Sequence, residues 1–133
     1  MGALQEAGHL IATADWLRDS LGDVYLINIA IGLLSAIVDN VPLVAASMGM
    51  YEVAAPGTMD AWLGFFVQDG IFWQFLAYCA GTGGSALIIG SAAGVAVMGL
   101  EKIDFVWYMK RMSLLAVIGY LSGAAVYWLM FGL

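Results

Sequence analysis

Ser35-Ala36-Ile37-Val38-Asp39-Asn40-Val41-Pro42-Leu43-Val44-Ala45-Ala46 is the stretch on which the fold turns. It sets an acid, an amide and a proline in the middle of an apolar run from Val24 to Met50. In water this would be an ordinary turn. In a bilayer it is expensive. A carboxylate at the centre costs about 2.5–3.5 kcal/mol or more on insertion scales, and such residues face a cavity or a partner. The first question is therefore which solvent surrounds the chain.

Composition answers it. Of 133 residues, 63% are hydrophobic and 11% charged, and the mean hydropathy is +0.93. A soluble domain carries about 45–50% apolar and about 25% charged residues. The expectation is an all-α integral membrane protein. The net charge is −6 and only four residues are Lys or Arg. That balance excludes nucleic acid as a partner, since phosphate neutralisation needs basic side chains. The single cysteine, Cys79, permits no internal disulfide. With one histidine, His9, and no CxxC pair, nothing points to structural zinc. Glu6 and Asp15 interrupt the N-terminal segment, which has no basic start and no continuous apolar core, so it does not read as a signal peptide.

Two readings of the opening stretch follow from its length. Tyr25–Val38 has 14 residues, about 21 Å as a helix, and Leu43–Met50 is shorter. Neither arm crosses a hydrocarbon core of about 30 Å. One solution is a single 28-residue helix over 24–51, kinked at Pro42, with Asp39 buried mid-span. The other is a re-entrant helical hairpin over 24–51 with its tip at 39–42. Pro42 would cost a backbone bond inside a helix but fits the start of one. Asp39 or Asn40 suits the cap of a helix starting near Pro42. The hairpin is favoured.

Outward from there, residues 1–23 read as an amphipathic interfacial or connecting helix. Leu4, Leu10, Ile11, Ala14, Leu17 and Leu21 recur at helical spacing, with Gly22 as its stop. His9 within it reads as an interface residue rather than a ligand. Residues 52–70 form a loop with a Pro56-Gly57 turn and an interfacial aromatic segment. Trp62, Phe65, Phe66, Phe72 and Trp73 suit an aromatic belt at a membrane surface, or plain core packing.

Residues 71–99 are predicted to be a discontinuous transmembrane helix. Gly81-Thr82-Gly83-Gly84-Ser85 forms its joint, between half-helices at Ile71–Ala80 and Ala86–Met98. Each glycine weakens a helix by about 1 kcal/mol relative to alanine. The alternative is a continuous helix whose glycines give a flat packing face, a role that Gly90-Ser91-Ala92-Ala93-Gly94 also fits. Residues 100–111 hold three of the four basic side chains, Lys102, Lys110 and Arg111. The positive-inside rule makes this loop cytoplasmic. Residues 112–133 are then one further transmembrane helix, with Gly119 and Gly123 as a small-residue face, Tyr127 and Trp128 at the far interface, and an external C-terminus. With the hairpin, residues 1–23 lie outside, in keeping with one Arg against Glu6, Asp15, Asp19 and Asp23.

A hairpin tip and a broken helix recur together in secondary transporters, where half-helix ends and unwound backbone build the ion site near the midplane. Asp39 supplies a charge that can hold a cation or a proton. Asn40, Thr82 and Ser85 add neutral oxygens, with Gly81, Gly83 and Gly84 as the backbone joint. An oxygen-only set suits a hard cation such as sodium. The glycine cluster lacks the spacing of a phosphate loop.

These two motifs, Ser35–Ala46 and Gly81–Ala96, together with Gly2–Gln5 and Tyr25–Asn28, resemble the C-terminal half of NhaD-type sodium/proton antiporters. That family belongs to the ion transporter superfamily, with arsenite and dicarboxylate carriers as relatives. The resemblance implies two inverted repeats on a scaffold that dimerises, of which this length supplies one. It places Asp39, Asn40 and the 82–85 joint at the second-repeat half of the site. It implies no enzyme activity and no cofactor, sodium being the transported substrate. It further implies a multi-pass location in a bacterial inner (plasma) membrane, lipid contact, and a missing N-terminal repeat as partner, supplied upstream or as a separate chain. The expected function is the C-terminal part of a transporter exchanging sodium or lithium for protons. The alternatives are an arsenite or dicarboxylate carrier of the same superfamily, or a non-transporting small membrane subunit.

Overall fold

The computed structural model describes residues 9–132. Gly2–Gln5, Leu4 and the side chains of His9, Leu10 and Ile11, all used above, lie outside the described residues. Helix α1 runs His9–Leu21. Gly22 ends it at φ +63°, with its N–H bonded to the Arg18 carbonyl at 2.8 Å. A glycine takes that left-handed cap without a Cβ penalty. Asp23 starts helix α2, Val24–Leu34, by accepting the N–H groups of Tyr25 and Leu26 at 2.7 and 3.2 Å.

The run from Val24 is not one helix. α2 stops at Leu34, a turn occupies 35–39, and helix α3 begins at Asn40 and runs to Met50. A single kinked helix is thereby excluded. Pro42 stands in the first turn of α3, where its missing N–H has no intrahelical partner to lose. Each helix has 11 residues, about 16 Å of rise. Their outer ends close on one residue. Asn28 of α2 donates its Nδ2 to the Phe72 carbonyl at 3.3 Å. Tyr51, just past α3, meets the Phe72 ring edge-on at 4.9 Å. The first half of α2 and the residue after α3 thus both lie near Phe72.

Helix α4, Ile71–Gly83, packs against both α2 and α3. Its buried residues, Phe72, Phe75, Leu76, Cys79, Ala80 and Gly83, recur at three and four and so share one face. α2 presents Val24, Tyr25, Ile27, Asn28, Ile31 and Gly32 to it. The two run parallel, from the Asn28–Phe72 contact to the Gly32–Gly83 contact. Close approach rests on small residues: a Cβ on Gly83 would run into the Gly32 carbonyl oxygen.

The aromatic stretch folds inward. Asp60 Oδ1 accepts from the N–H groups of Trp62 and Leu63, capping a 3₁₀ turn at Leu63–Phe66. Phe66 is buried between Tyr51 at 4.9 Å and Phe72 at 4.6 Å. Phe66 and Phe72 are therefore core rather than belt residues, while Trp62 lies under the Arg18 guanidinium at 4.9 Å.

Beyond α4, a 3₁₀ turn at Gly84–Ala86 leads to helix α5, Ala92–Leu100. α5 has no buried residue. The stretch expected as a loop to residue 111 turns helical early. Asp104 caps helix α6, Phe105–Arg111, accepting the Trp107 N–H at 3.2 Å. Only Met112 separates it from helix α7, Ser113–Phe131. Among the described residues, α7 is the one helix long and apolar enough to cross a membrane. It is tied to α4 by Tyr78, whose hydroxyl donates to the Tyr120 carbonyl at 2.9 Å, and by a stack of Tyr127 on Phe75 at 4.7 Å. Tyr127 thus faces the bundle, and Trp128 is exposed.

Candidate ion site at two helix breaks

The two breaks meet. Ser35, fully buried just past the end of α2, donates its hydroxyl to the carbonyls of Gly32 at 2.7 Å and Ala80 at 3.2 Å. A Cβ on Gly90 would collide with the Ser35 carbonyl oxygen and the Ala36 backbone. The turn at 35–36 is therefore laid directly on the second break. A small polar side chain and a bare glycine are what let two backbones approach this closely.

The second break lies later than its glycines suggest. Gly81, Thr82 and Gly83 remain inside α4, and the irregular stretch extends from Gly84 to Ser91. Ile88 takes φ +60° there, an uncommon conformation for a β-branched residue, of the kind found at functional sites. The reason is packing. Gly83 is needed for the contact with Gly32, so it stays helical. Unwinding starts only where that contact ends. Ser91 then restarts the chain as the cap of α5, accepting the Gly94 N–H at 3.3 Å.

The site residues expected from sequence stand as follows. Asp39 occupies the cap position of α3, is exposed, and makes no capping hydrogen bond. Among the described residues its carboxylate has no ion-pair or hydrogen-bond partner. Asn40 lines a cleft with Val41, Val44, Ala77, Ala80 and Gly81, so the α3 start and the α4 end do come together there. Thr82 is exposed and returns its hydroxyl to the Tyr78 carbonyl at 2.7 Å within its own helix. Ser85 lines a different cleft, with Gly84, Ile88, Ser91 and Tyr108. Its carbonyl accepts the Tyr108 hydroxyl at 2.7 Å.

Sequence reasoning passed over the stripe that builds this junction. Asn28, Gly32 and Ser35 lie at i, i+4 and i+7 along α2 and its cap, one row of small and polar residues in an apolar helix. That periodicity was the available signal. Gly90 was legible as a packing glycine in the small-residue pattern 90–94, though not its partner, and Tyr108 carried no signal because it acts on a residue distant in the chain.

Each break presents both helix polarities: α2 and α4 end there with carbonyl oxygens and negative dipole ends, and α3 and α5 start there with positive ones. The four basic side chains stand at Arg18, Lys102, Lys110 and Arg111, outside both breaks.

No family model matches the chain, and no solved structure matches it. Curated relatives do. Sodium/proton antiporter 1 of Arabidopsis thaliana is 51% identical over 127 residues, covering 96% of this chain and 20% of that protein. Sodium/proton antiporter 2 of the same plant is 46% identical, over 96% of this chain and 28% of its own length. The Na(+)/H(+) antiporter NhaD of Alkalimonas amylolytica is 33% identical over 132 residues, 97% of this chain and 24% of that protein. The chain thus spans 20–28% of the length of these curated relatives.

Proposed function

The chain belongs with the NhaD-type sodium/proton antiporters, matching one segment of their length, and from that premise we propose that it is the C-terminal part of a membrane transporter exchanging sodium or lithium for protons. The observation that carries the reading is the meeting of two helix breaks, with Asn40 lining a cleft with the end of α4 and Asp39 preceding it at the cap position of α3. In this reading α2 and α3 form a re-entrant hairpin, since each is about 16 Å long against a core of about 30 Å. α4 and α5 are the halves of a discontinuous helix, and α7 spans.

Asp39, Asn40 and the carbonyls around 82–85 form half of the ion site. The other half comes from a first repeat elsewhere in the transporter. A proton and a sodium ion compete for the Asp39 carboxylate. Sodium binding therefore weakens as pH falls and the carboxyl takes up a proton. That competition, with alternating access, is the exchange. The basic residues at 102–111 put that side in the cytoplasm, with the C-terminus external, in the bacterial plasma membrane or its equivalent. Lipid surrounds the bundle, and the parent protein is a homodimer.

The acid at Asp39, with no basic residue at either break, supports a cation substrate over arsenite or a dicarboxylate. The test is flux in liposomes containing the full transporter. Sodium or lithium gradients are expected to drive proton movement, and citrate or arsenite gradients are not. The reverse pattern would replace the antiporter with an anion carrier.

A further inference from the structure

We propose that Ser35 is a positioning residue for the ion site: its hydroxyl locks the turn of the hairpin to the end of α4 and so fixes the geometry of both breaks. This rests on the transporter reading above. Three observations meet at this side chain. First, it is fully buried and its single donor reaches two carbonyls on different helices, Gly32 at 2.7 Å and Ala80 at 3.2 Å. Second, Ala80 lies in the last turn of α4, so the Ser35 hydroxyl ties the end of α2 to the end of α4 rather than to its middle. Third, the backbone of Ser35 is itself the floor for Gly90, where no Cβ fits.

The chemistry follows from this placement. A cation at the junction is held by oxygens whose spacing the backbone sets. Each break, left alone, is irregular chain with few internal hydrogen bonds. One hydroxyl shared between α2 and α4 holds the two to a common register. Without it the carbonyls separate, and the ion loses affinity rather than its path.

The experiment uses the full transporter containing this chain, in proteoliposomes, with sodium-driven proton flux measured over a sodium series. Ser35→Ala is expected to raise the apparent KM for sodium about tenfold, the size set by one buried hydrogen bond, while the maximal rate changes less than about twofold. Ser35→Cys keeps a weaker donor and is expected to fall between. Gly83→Ala forces the same contact apart. The double variant Ser35→Ala with Gly83→Ala should therefore be no worse than Gly83→Ala alone, because both act on one contact. An unchanged KM in Ser35→Ala, or additive effects in the double variant, overturns the positioning role. If Asp39→Asn still loses exchange in the same series, the antiporter reading survives that result. A wild-type protein that moves no sodium overturns both.

Discussion

The first break and the second are made by different means. At 35–39 the helix stops because local chemistry stops it. Pro42 prefers a first turn, Asp39 a cap position, and only Ser35 and Ala36 are buried. At 84–91 the helix stops because a long-range contact ends. Gly81 and Gly83 are equally poor helix formers, yet both stay helical, and Gly83 does so pressed on Gly32. The difference teaches that a glycine inside a membrane helix has two uses, flexibility and thinness, and that its partner decides between them.

The largest effect that would break this contrast is at the close contacts. Gly83→Ala and Gly90→Ala place a Cβ into the backbone of Gly32 and of Ser35. Each is expected to cost about 1–3 kcal/mol by overpacking, read as a lowered melting temperature of the purified transporter. Wild-type melting in both would mean that the breaks do not touch.

Asn28→Leu comes next. It leaves the Phe72 carbonyl without its side-chain donor at a fully buried site. A loss of about 1 kcal/mol is expected, since the Phe72 carbonyl keeps its helical donor, measured in the same way. This would loosen the α2–α4 contact without touching the turn at 35–39.

Of similar size is Tyr108→Phe. It removes the hydroxyl that holds the Ser85 carbonyl at a net cost of about 1 kcal/mol. Faster hydrogen exchange confined to the segment after Gly84 would report it. The smallest effect is at Gly81, where a Cβ meets nothing within 4 Å. Gly81→Ala should be neutral or stabilise by up to about 1 kcal/mol through helix propensity. A loss as large as that of Gly83→Ala would show that position 81 does unwind, against the contrast drawn here.

How much was legible follows from the same distinction. Asp39, Asn40 and Pro42 announce a break through their own covalent structure, and the break lies a few residues from where they put it. Ser113–Phe131 reads as a span from length and apolar composition alone. The joint was displaced because Gly81-Thr82-Gly83 looks the same whether it unwinds or packs. The deciding partner, Gly32, lies some fifty positions away. The aromatic segment was ambiguous for a like reason. Phe66 is core only because Tyr51 and Phe72 close on it. The candidate site was legible in its charge and not in its scaffold: Asp39 stands out in an apolar run, whereas Ser35 reads as one more small residue.

The central claim is that Asp39, at the cap position of α3, carries the ion. The most direct measurement is sodium-dependent proton flux by the full transporter bearing Asp39→Asn, compared with wild type at equal amounts in the membrane. Asparagine keeps the size and shape of the side chain and removes its charge and its proton. Abolished exchange with the protein still inserted is the expected result. Exchange at the wild-type rate would contradict it.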